Sequence, residues 1–482
     1  MGQKSLFRNY ILNMIRTVSG LIFPLITFMY ASRTLGVEGI GKVDFAKSIV
    51  SYYTLFATLG ISTYGIREGA KVRDNRYQLS KLVKELLCIN FITTIITYIV
   101  FIATICTVSK LSNYRLLLLI NGLTIGFTSL GLEWLYSAVE DFDYITIRYI
   151  IIQIISLALL FLLVKGPNDC YKYALIVTLS SVGSNAFNFI HARKYLEFSS
   201  AKMELKKHLK PILIFFSNTV IGNIYVTLDT SMLGLLSNDN SVGLYSAAIK
   251  MNRICVGIIT AFSTVLLPRL SYYVEKRDYK TYDELLKRSM HIVFMIALPM
   301  VCGMLLLSKE ILVLFSGSEF IEASTCSRIL AIIVFAIPIS TFATQQILIP
   351  FGKERYIVIG AIVGALSNLV ANSILITKYN QDGAALGTVI AEVMVAIVTV
   401  LLSFKCRKIE FIFKGIWHYF FASGIMLLVL FFFNNGIEGI VKCVVFTIVG
   451  MLVYMISLFL IKDETFIQIF RLLIRKLKLS NN

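Results

Sequence analysis

A short glycine-rich stretch decides how this chain folds: Arg33-Thr34-Leu35-Gly36-Val37-Glu38-Gly39-Ile40-Gly41. It separates two apolar runs, one from about residue 9 that carries a lone Arg16, and one that extends to about residue 65. Two runs of about twenty apolar residues are long enough to cross the roughly 30 Å of a bilayer's hydrocarbon core as helices. The segment 9–65 is therefore predicted to be a membrane hairpin.

Much the same unit recurs without gaps about two hundred residues later. Residues 241–248 stand where residues 39–46 stood, so Gly243 corresponds to Gly41 and Arg269 to Arg67. Repetition on this scale is the signature of a chain built from similar structural units. We therefore expect two similar halves.

The composition is that of a membrane protein. Of the 482 residues, 57% are hydrophobic and only 15% are charged, and the mean hydropathy is +0.77. These values lie far from those of a soluble domain. The net charge of +18 is held in short segments between apolar runs, which is how membrane orientation signals are arranged. No nucleic-acid partner is expected.

The eight cysteines lie singly and mostly inside apolar runs, without a Cys-x-x-Cys pair. This pattern supports neither a disulfide framework nor a zinc site, and no metal site is expected. The first apolar run is too long for a signal peptide and is interrupted by Arg16. It is predicted to remain as the first membrane helix.

Scanning for apolar runs of about eighteen residues or more predicts fourteen membrane spans. They are 9–31, 44–65, 83–106, 115–137, 145–164, 172–192, 212–236, 243–267, 289–308, 328–350, 356–376, 384–404, 413–433 and 440–461. Lys and Arg are roughly three times as frequent in the loops on one side of the predicted spans as in the loops on the other side. The positive-inside rule then places both termini in the cytoplasm.

Six spans per half is an even number, so both halves enter the membrane in the same direction, as in parallel-repeat transporters. The predicted fold is all-α, with about fourteen transmembrane helices in two pseudo-symmetric six-helix bundles plus two extra C-terminal helices. The predicted domains are a first bundle with its basic linker (1–209), a second bundle (210–410), and helices 13 and 14 with a basic tail (411–482).

Two equivalent spans each carry a polar stripe. The first span places Asn13 and Arg16 on one helical face, and the seventh places Asn218, Tyr225 and Asp229 on one face. One interpretation is that both stripes line a central cavity between the halves. The other is that small and polar residues only hold neighbouring helices together.

Charged residues at membrane depth are costly and tend to face a cavity or a partner. Arg16 is expected roughly 10 Å from the cytoplasmic edge, and Lys250 about as far from the outer edge. Arg253 comes near the midplane, on the same face as Lys250, while Lys47 lies close enough to the outer surface to snorkel. Arg253 is the first candidate for an anion-binding residue and Arg16 the second.

Acidic residues at depth are fewer, namely Asp229, Glu392 and Glu133. Because cations outnumber them, the cavity is expected to attract an anion. The alternative is internal pairing, since Asp229 and Lys250 are expected at matching depths on consecutive antiparallel helices.

Other motif matches are weaker. The sequence Asp141-Phe142-Asp143 fits a metal-binding pattern of glycosyltransferases, but it stands in a short loop and is interpreted as a solvated acidic loop. Residues 36–41 lack the spacing of a phosphate loop. Pro338 and Pro350 are expected to kink the tenth span.

The stretch 33–48, together with Leu59-Gly60-Ile61, Tyr64-Gly65-Ile66-Arg67-Glu68 and Glu133-Trp134-Leu135-Tyr136, resembles the polysaccharide repeat-unit flippases, which include the O-antigen flippases. These proteins belong to the multidrug/oligosaccharidyl-lipid/polysaccharide exporter superfamily and share a MATE-like fold. The dense N-terminal match thins out after about residue 270.

The resemblance implies a bacterial inner-membrane protein that moves undecaprenyl-pyrophosphate-linked oligosaccharide from the cytoplasmic to the periplasmic leaflet by alternating access. It implies no enzymatic activity and no cofactor, with a proton or sodium gradient as the expected coupling. The polysaccharide polymerase and the chain-length regulator are its expected partners besides membrane lipid. Whether the glycan is an O-antigen, a capsule or an exopolysaccharide stays open.

The cationic cavity expected from the residues agrees with the substrate that the resemblance implies. A pyrophosphate needs a polar, cationic path to replace its water. We hypothesise that Arg16, Lys47, Lys250 and Arg253 contact the pyrophosphate or an acidic sugar. Asp229 or Glu392 is hypothesised to titrate during coupling, as a carboxylate that changes charge between states. Lys250 and Arg253 are inferred from depth and not from a family motif.

Three other functions are alternatives to the flippase hypothesis. A multidrug antiporter of the same superfamily would present carboxylates and aromatic side chains to an organic cation, whereas this chain has a cationic excess. A polysaccharide polymerase or glycosyltransferase would be expected to have a large outer loop, which this chain lacks. A purely structural or partner-binding membrane protein would not explain the buried cations.

Overall fold

The computed structural model describes residues 6–197, 202–407, 412, 414–433 and 438–480. Within its helices, the side chains of residues 6–11, 13, 21, 218, 221–226 and 473–480 are outside the description. Across the described ranges the regular structure is helical and contains no strand. The all-α class predicted from the sequence is confirmed.

Seventeen α-helices follow one another along the described chain. They are α1 Leu6–Thr58, α2 Ile61–Val72, α3 Arg76–Thr107, α4 Arg115–Ser129, α5 Glu133–Ala138, α6 Phe142–Leu163, α7 Cys170–Val182, α8 Ala186–Ala192, α9 Lys206–Leu236, α10 Asp239–Glu275, α11 Tyr279–Ser316, α12 Ser324–Leu330, α13 Ile333–Phe342, α14 Glu354–Phe404, α15 Trp417–Phe432, α16 Gly439–Leu460 and α17 Glu464–Ser480.

The two longest helices each contain two predicted spans. At 53 residues, α1 would be about 80 Å long if it were straight, more than twice the hydrocarbon thickness. Its helical geometry is broken at Gly36, where φ is 70° and ψ is −176°, a combination that essentially only glycine adopts. In α14 the break falls at Asn380, where φ is 48°. The predicted turn at Gly36 is therefore a sharp break within a nearly continuous helix.

The second predicted span, 44–65, is interrupted before its predicted end. Leu59 and Gly60 both have positive φ, 44° and 72°, so α1 stops at Thr58 and a separate helix begins at Ile61. The basic residues that close the predicted hairpin therefore belong to α2, whose last turn carries Lys71.

Nine helical stretches of the described chain are long and apolar enough to cross a membrane, or ten if one bent pair is a single span. Two of these stretches contain two predicted spans each, and α9 and α15 correspond to the remaining two. The fourteen predicted spans are thus compatible with the observed helices.

The bent pair is the predicted tenth span. Its halves, Ser318–Leu330 and Ile333–Leu348, meet at 41°, so the bend precedes Pro338 rather than following it. The segment Ala343–Leu348, which lies before Pro350, is a π-helix. Both irregularities are typical of helices with functional bends.

The first compact unit covers Met1–Gly243. In it, α1 packs against α3, α4, α6 and α9. An apolar core near the ends of α2, α3 and α5 includes Tyr64, Leu86, Trp134 and Tyr136, all buried.

The described part of the basic linker docks on this unit. Glu85, which is 1% exposed, accepts hydrogen bonds from the backbone N–H of Glu204 at 2.8 Å and from Nε2 of His208 at 2.8 Å. His208 Nδ1 lies 2.7 Å from the hydroxyl of Tyr64. These contacts fix the start of α9 against α2 and α3.

Two glycines related by the internal repeat meet in the first unit. A Cβ on Gly41 would lie 1.8 Å from the carbonyl oxygen of Asp239, and one on Gly243 would lie 2.1 Å from that of Val37. Only hydrogen leaves room for two backbones this close. The repeat therefore preserves a close crossing between α1 and the start of α10.

The second compact unit covers Leu244–Asn482. In it, α11 packs against α13, α15 and α16, and α14 packs against α12 and α13. Its apolar core includes Tyr282, Phe342, Tyr419 and Phe446. The domain boundaries expected from the sequence, 1–209, 210–410 and 411–482, stay predictions.

Candidate functional site

The first unit contains a cluster of charges inside its membrane spans. Arg16 of α1 donates a hydrogen bond to Oε1 of Glu133, the first residue of α5, and forms an ion pair with it. The side chains are 29% and 39% exposed. The pair is therefore partly desolvated but still accessible from outside the unit.

A second arginine, Arg148 of α6, completes the cluster. It interacts electrostatically with both Glu133 and Arg16. It lies six residues after the start of α6 at Phe142, about 9 Å along the helix. Two arginines and one glutamate leave one net positive charge in this part of the membrane.

Arg148 is held in place from its far side. One of its terminal nitrogens donates to Oδ1 of Asn188, and its guanidinium carbon lies 5.3 Å from the centre of the Tyr144 ring. Its Nε is buried and has no hydrogen-bond partner among the described residues. An unsatisfied guanidinium nitrogen in a desolvated site is costly, so it marks a position where an acceptor would be stabilising.

Asn188 is itself fixed from several sides. It is fully buried, its side-chain amide nitrogen donates to the backbone carbonyl of Gly131, and its backbone carbonyl accepts from the hydroxyl of Tyr136. A buried amide with its bonds satisfied positions its neighbours rigidly. The orientation of Arg148 is thus set by α5, α6 and α8 together.

Helix α6 also contacts α1 close to Arg16. The hydroxyl of Thr146 donates to the carbonyl of Leu12 at 3.3 Å. A Cβ on Gly20 would lie 3.6 Å from the hydroxyl of Tyr149, and Tyr149 interacts electrostatically with Arg16. Arg16 and Gly20, which the sequence places on one face of the first span, both face this side of the unit.

The acidic loop before α6 is not solvated, contrary to the interpretation from the sequence. Asp141 is 4% exposed, accepts from the hydroxyl of Tyr195 at 2.6 Å, and lies 3.2 Å from Nε2 of His191. The His191 ring stacks on Tyr144 with 3.8 Å between centres. Burial, with the Asp141 carboxylate beside it, raises the pKa of Tyr195 above its usual range. This loop therefore supports the Tyr144 face on which Arg148 rests.

The second unit holds two of the predicted cations. Lys250 and Arg253 lie on α10 and are half-buried, and Nε of Arg253 is buried without a hydrogen-bond partner among the described residues. Next to them in sequence, Asn252 donates to the Ser327 hydroxyl at 3.0 Å. Glu392 of α14 is 6% exposed.

The remaining predicted residues lie in the first unit. Lys47 is exposed on α1, and Asp229 of α9 is 3% exposed. Asn13, Asn218 and Tyr225 lie in helices, but their side chains are outside the described part of the structure. The roles assigned to all these residues stay predictions.

Sequence reasoning missed Arg148. The signal was present, because Arg148 is a lone cation inside the otherwise uncharged predicted span 145–164. It stands only a few residues inside that span, where a cation is expected to reach the interface and so attracts little attention. Its significance comes from Glu133 and above all from Arg16, which is more than a hundred residues away along the chain.

Neither a metal centre nor a thiol site accompanies the cluster. Over the described ranges, no group of three or more His, Cys, Asp or Glu side chains could hold a metal ion. All eight cysteines are free thiols.

The sequence matches the model of a family described as "Polysaccharide biosynthesis protein" over residues 6–274. A second family model, described as "MatE", matches residues 214–374. The first match covers more than half of the chain.

Curated relatives have related names. A "Putative O-antigen transporter" from Shigella dysenteriae is 22% identical over 383 residues, which is 78% of this chain and 94% of that protein. A "Probable low-salt glycan biosynthesis flippase Agl15" from Haloferax volcanii is 26% identical over 242 residues, 49% of this chain and 50% of that protein.

Solved structures show the same fold at low identity. The "Lipid II flippase MurJ, inward closed conformation" has a TM-score of 0.75 at 18% identity and covers 94% of this chain and 99% of that one. An inward-facing MATE family multidrug resistance transporter has a TM-score of 0.62 at 14% identity, covering 82% and 95%. The MATE-like fold expected from the sequence is confirmed.

Proposed function

The chain belongs to the polysaccharide biosynthesis protein family, and on that premise we propose that it is a flippase for lipid-linked oligosaccharides. It moves undecaprenyl-pyrophosphate-linked repeat units from the cytoplasmic to the periplasmic leaflet of a bacterial inner membrane. Relatives named as O-antigen transporters and glycan flippases support this proposal, as does the fold shared with a lipid II flippase.

The observation that carries the proposal is the cluster of Arg16, Glu133 and Arg148 at membrane depth. A pyrophosphate cannot enter the bilayer unaided because its oxygens would lose their water. Guanidinium groups replace that water with charge-assisted, often bidentate hydrogen bonds. Because the three side chains together carry one net positive charge, the cluster suits an anionic headgroup.

Glu133 gives the cluster a resting partner. Without substrate, its carboxylate compensates Arg16 through their ion pair, so the arginines are not left unpaired in a desolvated region. When a pyrophosphate arrives, its oxygens take over contacts that Glu133 makes. Binding then replaces the Glu133 carboxylate with the pyrophosphate at the arginines, and release reverses that exchange. Competition between the two anions keeps the affinity for the pyrophosphate moderate enough for transport.

The step is transport and involves no bond making or breaking, so the named residues bind rather than react. Asp229 and Glu392 are the proposed coupling residues, because both are carboxylates buried to 3% and 6% exposure that a proton or a sodium ion could neutralise. The excess of Lys and Arg in one set of loops supports cytoplasmic termini. The polymerase and the chain-length regulator are proposed partners.

The test is a flipping assay in proteoliposomes. A fluorescent undecaprenyl-pyrophosphate oligosaccharide is reconstituted in both leaflets, and an impermeant quencher reports the fraction that remains protected. We expect protein-containing vesicles to lose the protected pool, while protein-free vesicles keep it. If the lipid stays protected while the same vesicles exchange a cationic dye for protons or sodium, the drug-antiporter alternative holds instead.

A further inference from the structure

A cavity of about 930 Å³ lies in the second unit, and the residues of the arginine cluster do not line it. It is formed by the end of α11, by α12, by the end of α15 and by the start of α16. Consecutive spans run in opposite directions, so these ends all lie at one face of the unit. On the proposed orientation that face is the outer one.

Part of the cavity wall is apolar. Leu305, Leu306, Val313 and Phe431 line it, and the Phe431 side chain is 61% exposed. The volume is near the upper end of what small-molecule pockets offer, roughly 300–1,000 Å³. A cavity of this size and character accommodates part of an amphiphile and is far larger than a free inorganic anion requires.

The polar lining is mainly cationic, with Lys309, Arg328 and Lys442 against Glu310 and Glu438. Lys442 Nζ lies 2.6 Å from Oε1 of Glu310, and each side chain is 10% exposed. No other described residue bonds that carboxylate, whose Oε2 is buried without a partner. Lys442 is therefore committed to compensating Glu310.

Lys309 and Arg328 differ from Lys442 in exposure and in charge pairing. Both are exposed at the cavity, and neither forms an ion pair with any residue that the structure describes. Glu438 supplies the one remaining negative charge of the lining. Two exposed cations therefore stand beside the apolar part of the wall.

We propose that this cavity binds the phosphate headgroup of a membrane lipid, with Lys309 and Arg328 on the phosphate and the acyl chains along the apolar wall. An arginine and a lysine at a membrane interface suit a phosphate. The occupant is a phosphate-bearing lipid rather than a soluble anion, because four apolar side chains, Leu305, Leu306, Val313 and Phe431, line the cavity beside the charged ones. The site is separate from the transport cluster and does not depend on the proposed function.

The experiment uses the full-length protein, delipidated in detergent, and counts bound ligands by native mass spectrometry. The probes are a phosphatidylglycerol, a diacylglycerol with the same chains, and inorganic phosphate. The test variant is Lys309→Gln with Arg328→Gln. The matched control, Lys165→Gln with Lys378→Gln, removes two exposed cations at the same predicted face but outside the cavity.

We expect one phosphatidylglycerol to bind more tightly than the diacylglycerol, and its affinity to fall by about tenfold or more in the test variant, as charge-assisted contacts are lost. The control variant should bind like the unmodified protein. Equal binding of the diacylglycerol would contradict a headgroup site, as would equal losses in both variants. Inorganic phosphate binding as tightly as the lipid, with the same dependence on Lys309 and Arg328, would identify a free-anion site and overturn the lipid assignment.

Discussion

At the scale of single residues, the important property of Arg16 and Arg148 is that each is compensated only in part. A guanidinium in a membrane helix costs a few kcal/mol unless it has a partner. Glu133 supplies one negative charge for two arginines, and Asn188 and Tyr144 supply an amide oxygen and a ring face. The cluster is stable without substrate and still favours an anion.

The first residue-scale prediction concerns Glu133. Replacing it by glutamine keeps its size and removes the competing negative charge, so the affinity for undecaprenyl pyrophosphate should rise several-fold. The measurement is a titration of purified protein in detergent. Glu204→Gln is the control, because Glu204 is an exposed carboxylate outside the membrane spans. Weaker binding in Glu133→Gln would show that Glu133 supports the ligand instead of competing with it.

The second prediction concerns Arg253. If its charge alone matters, Arg253→Ala should abolish flipping, while Arg253→Lys should keep most of it. Both variants are compared with the unmodified protein at equal amounts in the proteoliposome assay. Undiminished flipping by Arg253→Ala would remove this residue from the transport path.

Site residues are easiest to predict from the sequence where a charged residue lies deep in a predicted span. Arg16 and Glu133 were both recognisable as charges at depth, and they form an ion pair. Arg148 was overlooked because it stands near the end of its span. Asp141 was misjudged because loop residues are usually solvated, whereas Tyr195 and His191 bury this one. Tyr195 and His191 lie about fifty residues from Asp141 along the chain, so the sequence around Asp141 does not predict these contacts.

At the scale of elements, the repeated glycines set how closely helices approach. Gly41→Ala and Gly243→Ala each place a methyl group on a backbone oxygen, and overpacking of this kind costs about 1–3 kcal/mol or more. Each variant should lower the thermal unfolding temperature in detergent. Gly303→Ala is the matched control, since nothing lies within 4 Å of its added Cβ. Equal unfolding temperatures for all three variants would contradict the close crossing.

A second prediction concerns the hydrogen bonds by which Glu85 holds the linker and the start of α9. Glu85→Ala leaves the buried His208 ring without its carboxylate acceptor, and leaving a buried polar group unsatisfied costs about 1–3 kcal/mol. The unfolding temperature should fall clearly, and proteolysis within the linker should accelerate. Glu204→Ala removes an exposed carboxylate that also pairs with Lys81 and Lys207 and should change stability by less than about 1 kcal/mol. Similar effects of the two changes would argue against docking of the linker through Glu85.

Elements were largely predictable because apolar runs of membrane length have few alternatives to helix. Breaks within helices were harder to place. Gly36 fell in the predicted turn, but the positive φ angles at Leu59 and Gly60 were not anticipated. The bend in the tenth span falls between Leu330 and Ile333, several residues before Pro338.

At the scale of the whole molecule, transport requires that the headgroup bind from one leaflet and leave to the other. The internal repeat gives the chain two similar halves, an arrangement found in alternating-access transporters. The cationic cluster lies in the first unit, and the predicted cations Lys250 and Arg253 lie in the second. Charge in the membrane interior is the feature that separates this proposal from export of organic cations.

The most direct test of that claim is the initial flipping rate of the double variant Arg16→Gln with Arg148→Gln. It is measured in proteoliposomes beside the unmodified protein and the control Arg115→Ala, which removes an exposed arginine at the start of α4. We predict a rate at least about tenfold lower for the double variant, as expected when charge-assisted contacts to a phosphate are lost, and an unchanged rate for the control. An unchanged rate in the double variant, with the protein folded and reconstituted to the same level, would contradict the account.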